Sequence, residues 1–161
     1  MKKIKPLLYL PVMLYLLNPG TTLAANEMLE DMKGHKIAFS ELKGKWVFIN
    51  YWASWCRPCL AEIPELNRFY EENKQDHVAV FAVNYDAVSL AKQEQLIKAF
   101  HINYPSLKKD PASELTLGDI RGVPVTFVFD PQGQLYDALY GQQTSASLHQ
   151  IIRKSGDDAL F

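Results

Sequence analysis

Two cysteines, Cys56 and Cys59, stand two residues apart in Trp55-Cys56-Arg57-Pro58-Cys59, and the chain contains no others. Before them runs Trp46–Trp52, almost continuously apolar and of strand length. After them Ile63, Leu66, Phe69 and Tyr70 recur at helical spacing. The pattern predicts a strand that ends near Trp52 and a helix that begins near Cys56. A thiol in the first turn of a helix meets unpaired backbone N–H groups and the positive end of the helix dipole, and both favour thiolate over thiol. Arg57 adds a positive charge in the same direction. Pro58 fits the first turn, where a missing N–H costs nothing. Cys59, three residues on, places its sulfur on the same face as that of Cys56, so the two can close a disulfide with little motion. This arrangement suits thiol–disulfide exchange, with Cys56 as the exposed attacking thiol and Cys59 as the buried one that resolves the mixed disulfide. The alternatives are a structural bridge or half of a metal site. A bridge over so short a loop constrains little chain entropy, and two cysteines cannot supply the four ligands of a structural zinc site.

Glu62 follows Cys59 by three helical positions and so lies on the same face, one turn on. A carboxylate partly buried near a thiol acquires a raised pKa and can exchange protons with it. The competing reading is a solvated helix glutamate among Glu62, Glu65, Glu71 and Glu72. Trp55 borders the thiol and could pack on a substrate, whereas Trp46 and Trp52 read as core. His35, His77, His101 and His149 are scattered among polar neighbours and read as surface residues. None lies near Cys56 in sequence, where a thiol-based copper site would want one. Lys108-Lys109-Asp110 reads as a solvated turn.

The elements that must position these residues follow from periodicity. Residues 26–44 are mixed and polar, with turns at Gly34 and Gly44. Val78–Val83 is a second buried strand. Ser89–Phe100 is helical, with Ser89 as cap. Ile102–Leu107 is expected as a short strand and Pro111–Leu117 as a short helix ended by Gly118. Val125–Phe129 is a third apolar strand, Pro131-Gln132-Gly133 a hairpin turn, and Gln134–Tyr140 the returning strand. Thr144 caps a last helix that carries Leu148, Ile151 and Ile152 on one face, with a frayed tail from Ser155. The sum is an α/β layer fold around a mixed sheet.

The chain's 161 residues are 48% hydrophobic and carry a formal charge of −1, a composition that excludes collagen, coiled coil and wholesale disorder and argues against a nucleic-acid binder. Residues 1–24 read as a secretory signal: Lys2, Lys3 and Lys5, an apolar run from Leu7 to Leu17, then small residues up to Ala24 and Ala25. That run is short of the roughly 20 residues that span a bilayer. The expectation is therefore an exported, periplasmic-type domain over 25–161, with cleavage near Ala24; an uncleaved anchor is the lesser alternative. In an oxidising compartment a pair of cysteines so spaced is a redox device more often than a staple.

These residues resemble the thioredoxin superfamily. The Trp-Cys-x-x-Cys segment after a buried strand, Pro64 five residues after Cys59, and Val123-Pro124 just before an apolar strand match that family's redox motif, helix-kinking proline and cis-proline loop. Gly133 and Gly141 match its hairpin and the turn before its last helix. The similarity covers roughly residues 40 to 154. It is nearest to the exported TlpA-like and ResA-like reductases, with the cytochrome c maturation thioredoxins nearby. The run Ala53–Pro64 carries that branch's acidic residue at Glu62, and the stretch from Asn84 to Val123 is long enough for its extra strand and helix. Thioredoxin's buried aspartate, six residues before the first cysteine, is Asn50 here, so Glu62 is the candidate proton-handling carboxylate. The acidic residue that the cytochrome c maturation type carries after its cis-proline is Val125. The resemblance implies a thioredoxin-like fold with a strand–helix insert before the cis-proline strand. It implies a reductase of protein disulfides through Cys56 and Cys59, tuned by Arg57 and Pro58. Trp55, Val123 and Pro124 would bind substrate, and no cofactor or metal is needed. The partners implied are disulfide-bearing proteins and a membrane thiol–disulfide electron carrier that re-reduces the pair. A disulfide-donating oxidase and a copper-binding assembly factor using the two thiols remain the alternatives.

Overall fold

The computed structural model describes residues 27–75 and 77–158. The signal expected at 1–24 lies outside the described residues. Four strands form the central sheet: β3 (Trp46–Trp52), β4 (Val78–Asn84), β5 (Val125–Phe129) and β6 (Leu135–Tyr140), in the order β4-β3-β5-β6. A small hairpin, β1 (Met28–Glu30) with β2 (Lys36–Ala38), precedes them, followed by a 3₁₀ turn at Phe39–Leu42. Among the described residues three α-helices flank the sheet: α1 (Arg57–Asn73), α2 (Leu90–Ala99) and α3 (Ser145–Asp158). Strands β3 and β4 run parallel through the α1 crossover, whereas β5 and β6 are antiparallel neighbours joined by the 131–133 turn. The fold is the expected α/β layer with a mixed sheet.

Strand β3 is central, and all seven of its residues are buried. Alternation divides them between two cores. Phe48 and Trp52 face α1 and α3, where Ile63, Leu66, Phe69 and Leu148 pack. Val47, Ile49 and Tyr51 face the other layer, with Phe39, Leu42, Phe81, Leu115 and Phe127. Asn50 falls on the α1 side of this alternation, and the β3–β5 register sets it opposite Thr126. That single register places two polar side chains beneath the start of α1.

Several expectations change in the structure. The polar segment before Gly44 contains the β1–β2 hairpin, whose strands are too short and mixed to show a period. The strand expected at 102–107 is reduced to isolated bridges. Ala82 N–H donates to Pro105 O and Leu107 N–H to Ala82 O, while Leu107 bridges back to Asp31. Pro105 has no N–H for a ladder, which keeps this segment from becoming a full strand. The short helix at 111–117 is instead a set of turns, with Leu115 and Leu117 buried. The insert between Asn84 and Val123 therefore contains helix α2 but no regular extra strand. The 108–110 run is the expected solvent-facing bend, with Lys109 and Asp110 exposed, but it is also tied down: Lys108 Nζ pairs with Glu30 at 2.6 Å and Asp110 accepts from the Tyr51 hydroxyl at 2.6 Å. Helix α3 also continues past Ser155 to Asp158. Among the described residues no helix is long and apolar enough to cross a membrane.

Candidate functional site

Strand β3 delivers the chain to the site, and the loop Ala53–Trp55 turns it into α1. Cys56 is the N-cap of α1, in extended backbone, and its Sγ accepts from Cys59 N–H at 3.2 Å. One first-turn donor of the helix, the Cys59 N–H, therefore points at this sulfur, as the sequence suggested. Cys56 and Cys59 form a disulfide with their Cα atoms 5.3 Å apart. Pro58 sits in the first turn, and it and Arg57 face solvent. Pro64 lies inside α1, where its lack of an N–H leaves the Leu60 carbonyl without its helical partner.

Cys59 is fully covered and Cys56 only 4% accessible. The order of exposure is the expected one, but Cys56 is a covered sulfur with a narrow opening and not an exposed thiol. The cause is the opposing loop. The Val123-Pro124 bond is cis, and the Val123 carbonyl oxygen lies 3.6 Å from Cys56 Sγ. In the reduced protein that oxygen would be an acceptor for the thiol proton. Gly141 N–H donates to Pro124 O at 2.9 Å and ties this loop to the end of β6. Trp55, immediately before Cys56, is 67% exposed, while Trp46 and Trp52 are core.

Glu62 is completely buried. Its Oε1 accepts from Asn50 Nδ2 at 2.7 Å and its Oε2 from Gln143 N–H at 2.9 Å. Burial pushes its pKa up to about 7, against the opposing pull of the Gln143 and Asn50 donors. The solvated-glutamate reading holds for Glu71, which pairs with Lys74 at the surface, and for Glu72, which is also exposed. Glu65 and Glu72 reach across to α3, accepting from Ser145 N–H at 3.0 Å and from the Ser145 hydroxyl at 2.8 Å. Thr144 Oγ1 caps α3 by accepting from Ser147 N–H. The acids of α1 thus receive the positive end of α3. Helix α1 brings Cys56, Cys59 and Glu62 onto one buried stripe, and β5 brings Val123 and Pro124 against its start.

A buried dithiol–disulfide at a helix N-terminus, with a buried carboxylate one turn further along and a carbonyl beside the outer sulfur, can accept and return a pair of electrons and protons. Comparison with known proteins agrees. The sequence matches the AhpC/TSA family over residues 21–138. It is 33% identical over 129 residues to the thiol-disulfide oxidoreductase ResA of Bacillus subtilis, covering 80% of this chain and 72% of that protein. It is 32% identical over 133 residues to ResA of Bacillus thuringiensis subsp. konkukian, covering 81% and 75%.

The chain belongs to the AhpC/TSA family, as a ResA-type thiol–disulfide oxidoreductase.

Among solved structures, the exposed lipoprotein thioredoxin of Streptococcus pneumoniae superposes with a TM-score of 0.70 at 27% identity, over 81% of this chain and 99% of that one. StoA of Bacillus subtilis shares the fold, with a TM-score of 0.64 at 23% identity over 79% and 97%.

Two groups at this oxidoreductase site were not legible beforehand. The first clamps the redox loop. Asp86, just past β4, accepts from Ser54 N–H at 2.9 Å and from the Ser54 hydroxyl at 2.8 Å. Asn84 Nδ2 donates to the same carboxylate at 2.6 Å. An Asn-x-Asp at a strand end suggests a turn, but nothing in the sequence says which loop it holds. The second group surrounds Glu62: Asn50, Thr126, Gln143 and Tyr104. Asn50 and Thr126 stand out as polar residues inside apolar strands. Gln143 acts through its backbone and leaves no signal. The histidines also differ in part from expectation: His149 packs edge-on against Phe69 and lies 3.2 Å from Asn73 Nδ2, so it is a half-buried interface residue.

Proposed function

We propose that the protein is an exported reductase of protein disulfides. In this reading the reduced Cys56 thiolate attacks one sulfur of a substrate disulfide. A mixed disulfide forms and the other substrate sulfur leaves as thiolate. Cys59 gives its proton to Glu62 and attacks the Cys56 sulfur. The second substrate sulfur leaves, takes up a proton, and the enzyme is left as its Cys56–Cys59 disulfide. A membrane thiol–disulfide carrier would return the two electrons. The observation that carries this reading is the stripe on α1: a sulfur at the helix N-terminus, a buried partner, and a buried carboxylate whose pKa is raised to about 7, where it can both accept and release a proton. The opening at Cys56, with exposed Trp55 on one side and the Val123 carbonyl on the other, suits an extended segment that pairs briefly with the loop as a strand does. The basic and apolar start of the chain supports export. The resemblance to the cytochrome c maturation thioredoxins makes the disulfide of a Cys-x-x-Cys-His haem-attachment segment the substrate to try first.

Two measurements test the reading. The reduction potential of the Cys56–Cys59 couple separates reductant from oxidant: a value near about −270 mV supports the proposal, and one near about −120 mV supports disulfide donation. Copper titration of the reduced protein tests the assembly-factor alternative. Among the described residues no group of three or more His, Cys, Asp or Glu stands together as a metal site. Tight stoichiometric retention with poor reductase activity would overturn the proposal.

A further inference from the structure

Asn50 is fully buried, and its amide is used in one sense only. Nδ2 donates to Glu62 Oε1 at 2.7 Å and to Thr126 Oγ1 at 3.1 Å. On the other side the Tyr104 hydroxyl donates to Asn50 Oδ1 at 3.5 Å. Tyr104 is buried too, and burial, then the nearby Glu62, holds its phenol in the protonated form. The ionised carboxylate can only accept, so it draws the NH₂ end of the amide toward itself, and the Tyr104 hydroxyl then meets Oδ1 as a donor. The other carboxylate oxygen meets the backbone N–H of Gln143. Both oxygens of Glu62 therefore face groups that donate and cannot accept. Such partners suit the ionised carboxylate and oppose the carboxylic acid, while burial works the opposite way.

We infer that Asn50 is a positioning residue for disulfide exchange: it holds the Glu62 carboxylate in one orientation and offsets its burial, so that the carboxylate stays free to take the Cys59 proton. The inference rests on the reading that Glu62 serves Cys59. An amide can do this where an aspartate could not. A second carboxylate 2.7 Å away would share one proton with Glu62 and lock it in a half-ionised pair. The groups that face Glu62 are Asn50 from β3, Tyr104 from the segment after α2, the Gln143 N–H before α3, and Cys59 one turn back on its own helix. Tyr104 and Cys59 are the titratable ones, and no cation contributes to its shift.

The test follows the Glu62 carboxyl directly by infrared titration of the oxidised protein, with the band assigned by its loss in Glu62→Gln. Asn50→Leu removes the donor and Asn50→Asp replaces it by a carboxyl. Both are expected to move the Glu62 midpoint up by at least about one pH unit, a tenfold change in the ionised fraction below the midpoint. The rate of mixed-disulfide release is then measured against pH for the same proteins. Its midpoint is expected to move by the same amount, with the alkaline plateau within about threefold of wild type. Tyr104→Phe deletes a single oxygen, so it covers the case in which the Asn50 variants do not fold, and it is expected to shift both midpoints the same way by less. An infrared midpoint that stays put in the folded variants overturns the inference. So does a midpoint that moves while the release profile does not follow, provided Glu62→Gln itself alters release. If Glu62→Gln leaves release unchanged, the reading of Glu62 fails first, and the infrared midpoint still reports whether Asn50 sets its ionisation.

Discussion

Replacing Glu62 by Gln removes one ionisable group from the centre of α1 and little else. The side chain keeps its length, and its carbonyl can still accept from Asn50 or from Gln143 N–H. Its NH₂ must then face the other donor, as the O–H of the protonated acid does, so below the Glu62 midpoint the variant is expected to lie within about 1 kcal/mol of wild type. The larger effect depends on pH. Glu62 ionises near 7 in the folded protein against an ordinary 4.5, with burial as the main cause. A pKa raised on folding gives stability that is complete below the unfolded value and is lost as the pH rises through the folded one. Between about pH 4.5 and 8 the wild-type oxidised protein therefore loses about 3 kcal/mol through this group. The variant loses none of it, and all other titrations cancel in the comparison. Urea unfolding of both oxidised proteins at about pH 4.5 and pH 8 reads the difference. The variant is expected to lie within about 1 kcal/mol of wild type at the acid end and to gain on it by about 3 kcal/mol at the alkaline end. A stability difference that is the same at both pH values would refute the claim that Glu62 is a buried acid with a shifted pKa. The kinetic counterpart is release of the mixed disulfide. Loss of the proton acceptor is expected to slow it by a factor of about 10² to 10⁴ near neutrality. The two profiles should converge at alkaline pH, where Cys59 ionises unaided. Superimposed profiles across the whole range would leave Glu62 as a packing residue.

Cys56→Ser is expected to abolish turnover of a protein disulfide, and residual reductase activity in an insulin-reduction assay would contradict its role as the attacking sulfur. Cys59→Ser is expected to accumulate covalent adducts through Cys56, visible on non-reducing gels; their absence under conditions where wild type turns over would count against protein substrates. Asp86→Ala frees Ser54 from both of its contacts and is expected to lower kcat/KM at least about tenfold, since small displacements of a reacting group are costly, with the far-UV spectrum unchanged; Asp86→Asn, which keeps an acceptor, is expected to recover part of that loss. Trp55→Ala removes a side chain that is 67% exposed, so it is expected to leave stability within about 0.5 kcal/mol of wild type while raising KM for a protein disulfide more than for a small one. Equal effects on both substrates would remove Trp55 from the docking surface.

The local chemistry of this protein is written in its sequence. A buried run of seven residues ending two residues before Ser54, two cysteines at a three-residue step and a helical apolar period are enough to put Cys56 at the head of α1, because each depends only on near neighbours along the chain. The same holds for the caps at Ser89 and Thr144 and for the 131–133 turn, which the structure reproduces. The ends of the short elements were less legible. The 28–38 hairpin and the 102–107 segment draw their order from pairing with distant strands, and a few mixed residues carry no period of their own. What only the tertiary structure decided is the environment of Glu62. By spacing it was as fit for solvent as Glu65 or Glu71. It is buried because β3 and β5 pair in one register, which sets Asn50 beside Thr126 under the helix, and because the turn before α3 lays the Gln143 N–H against its other oxygen. The cover over Cys56 has the same origin: the Val123 carbonyl lies 67 residues away in sequence and 3.6 Å away in space. Desolvation and long-range donors shift a pKa, and both are properties of the packed chain, so the sequence could name the carboxylate while only the fold could set its charge.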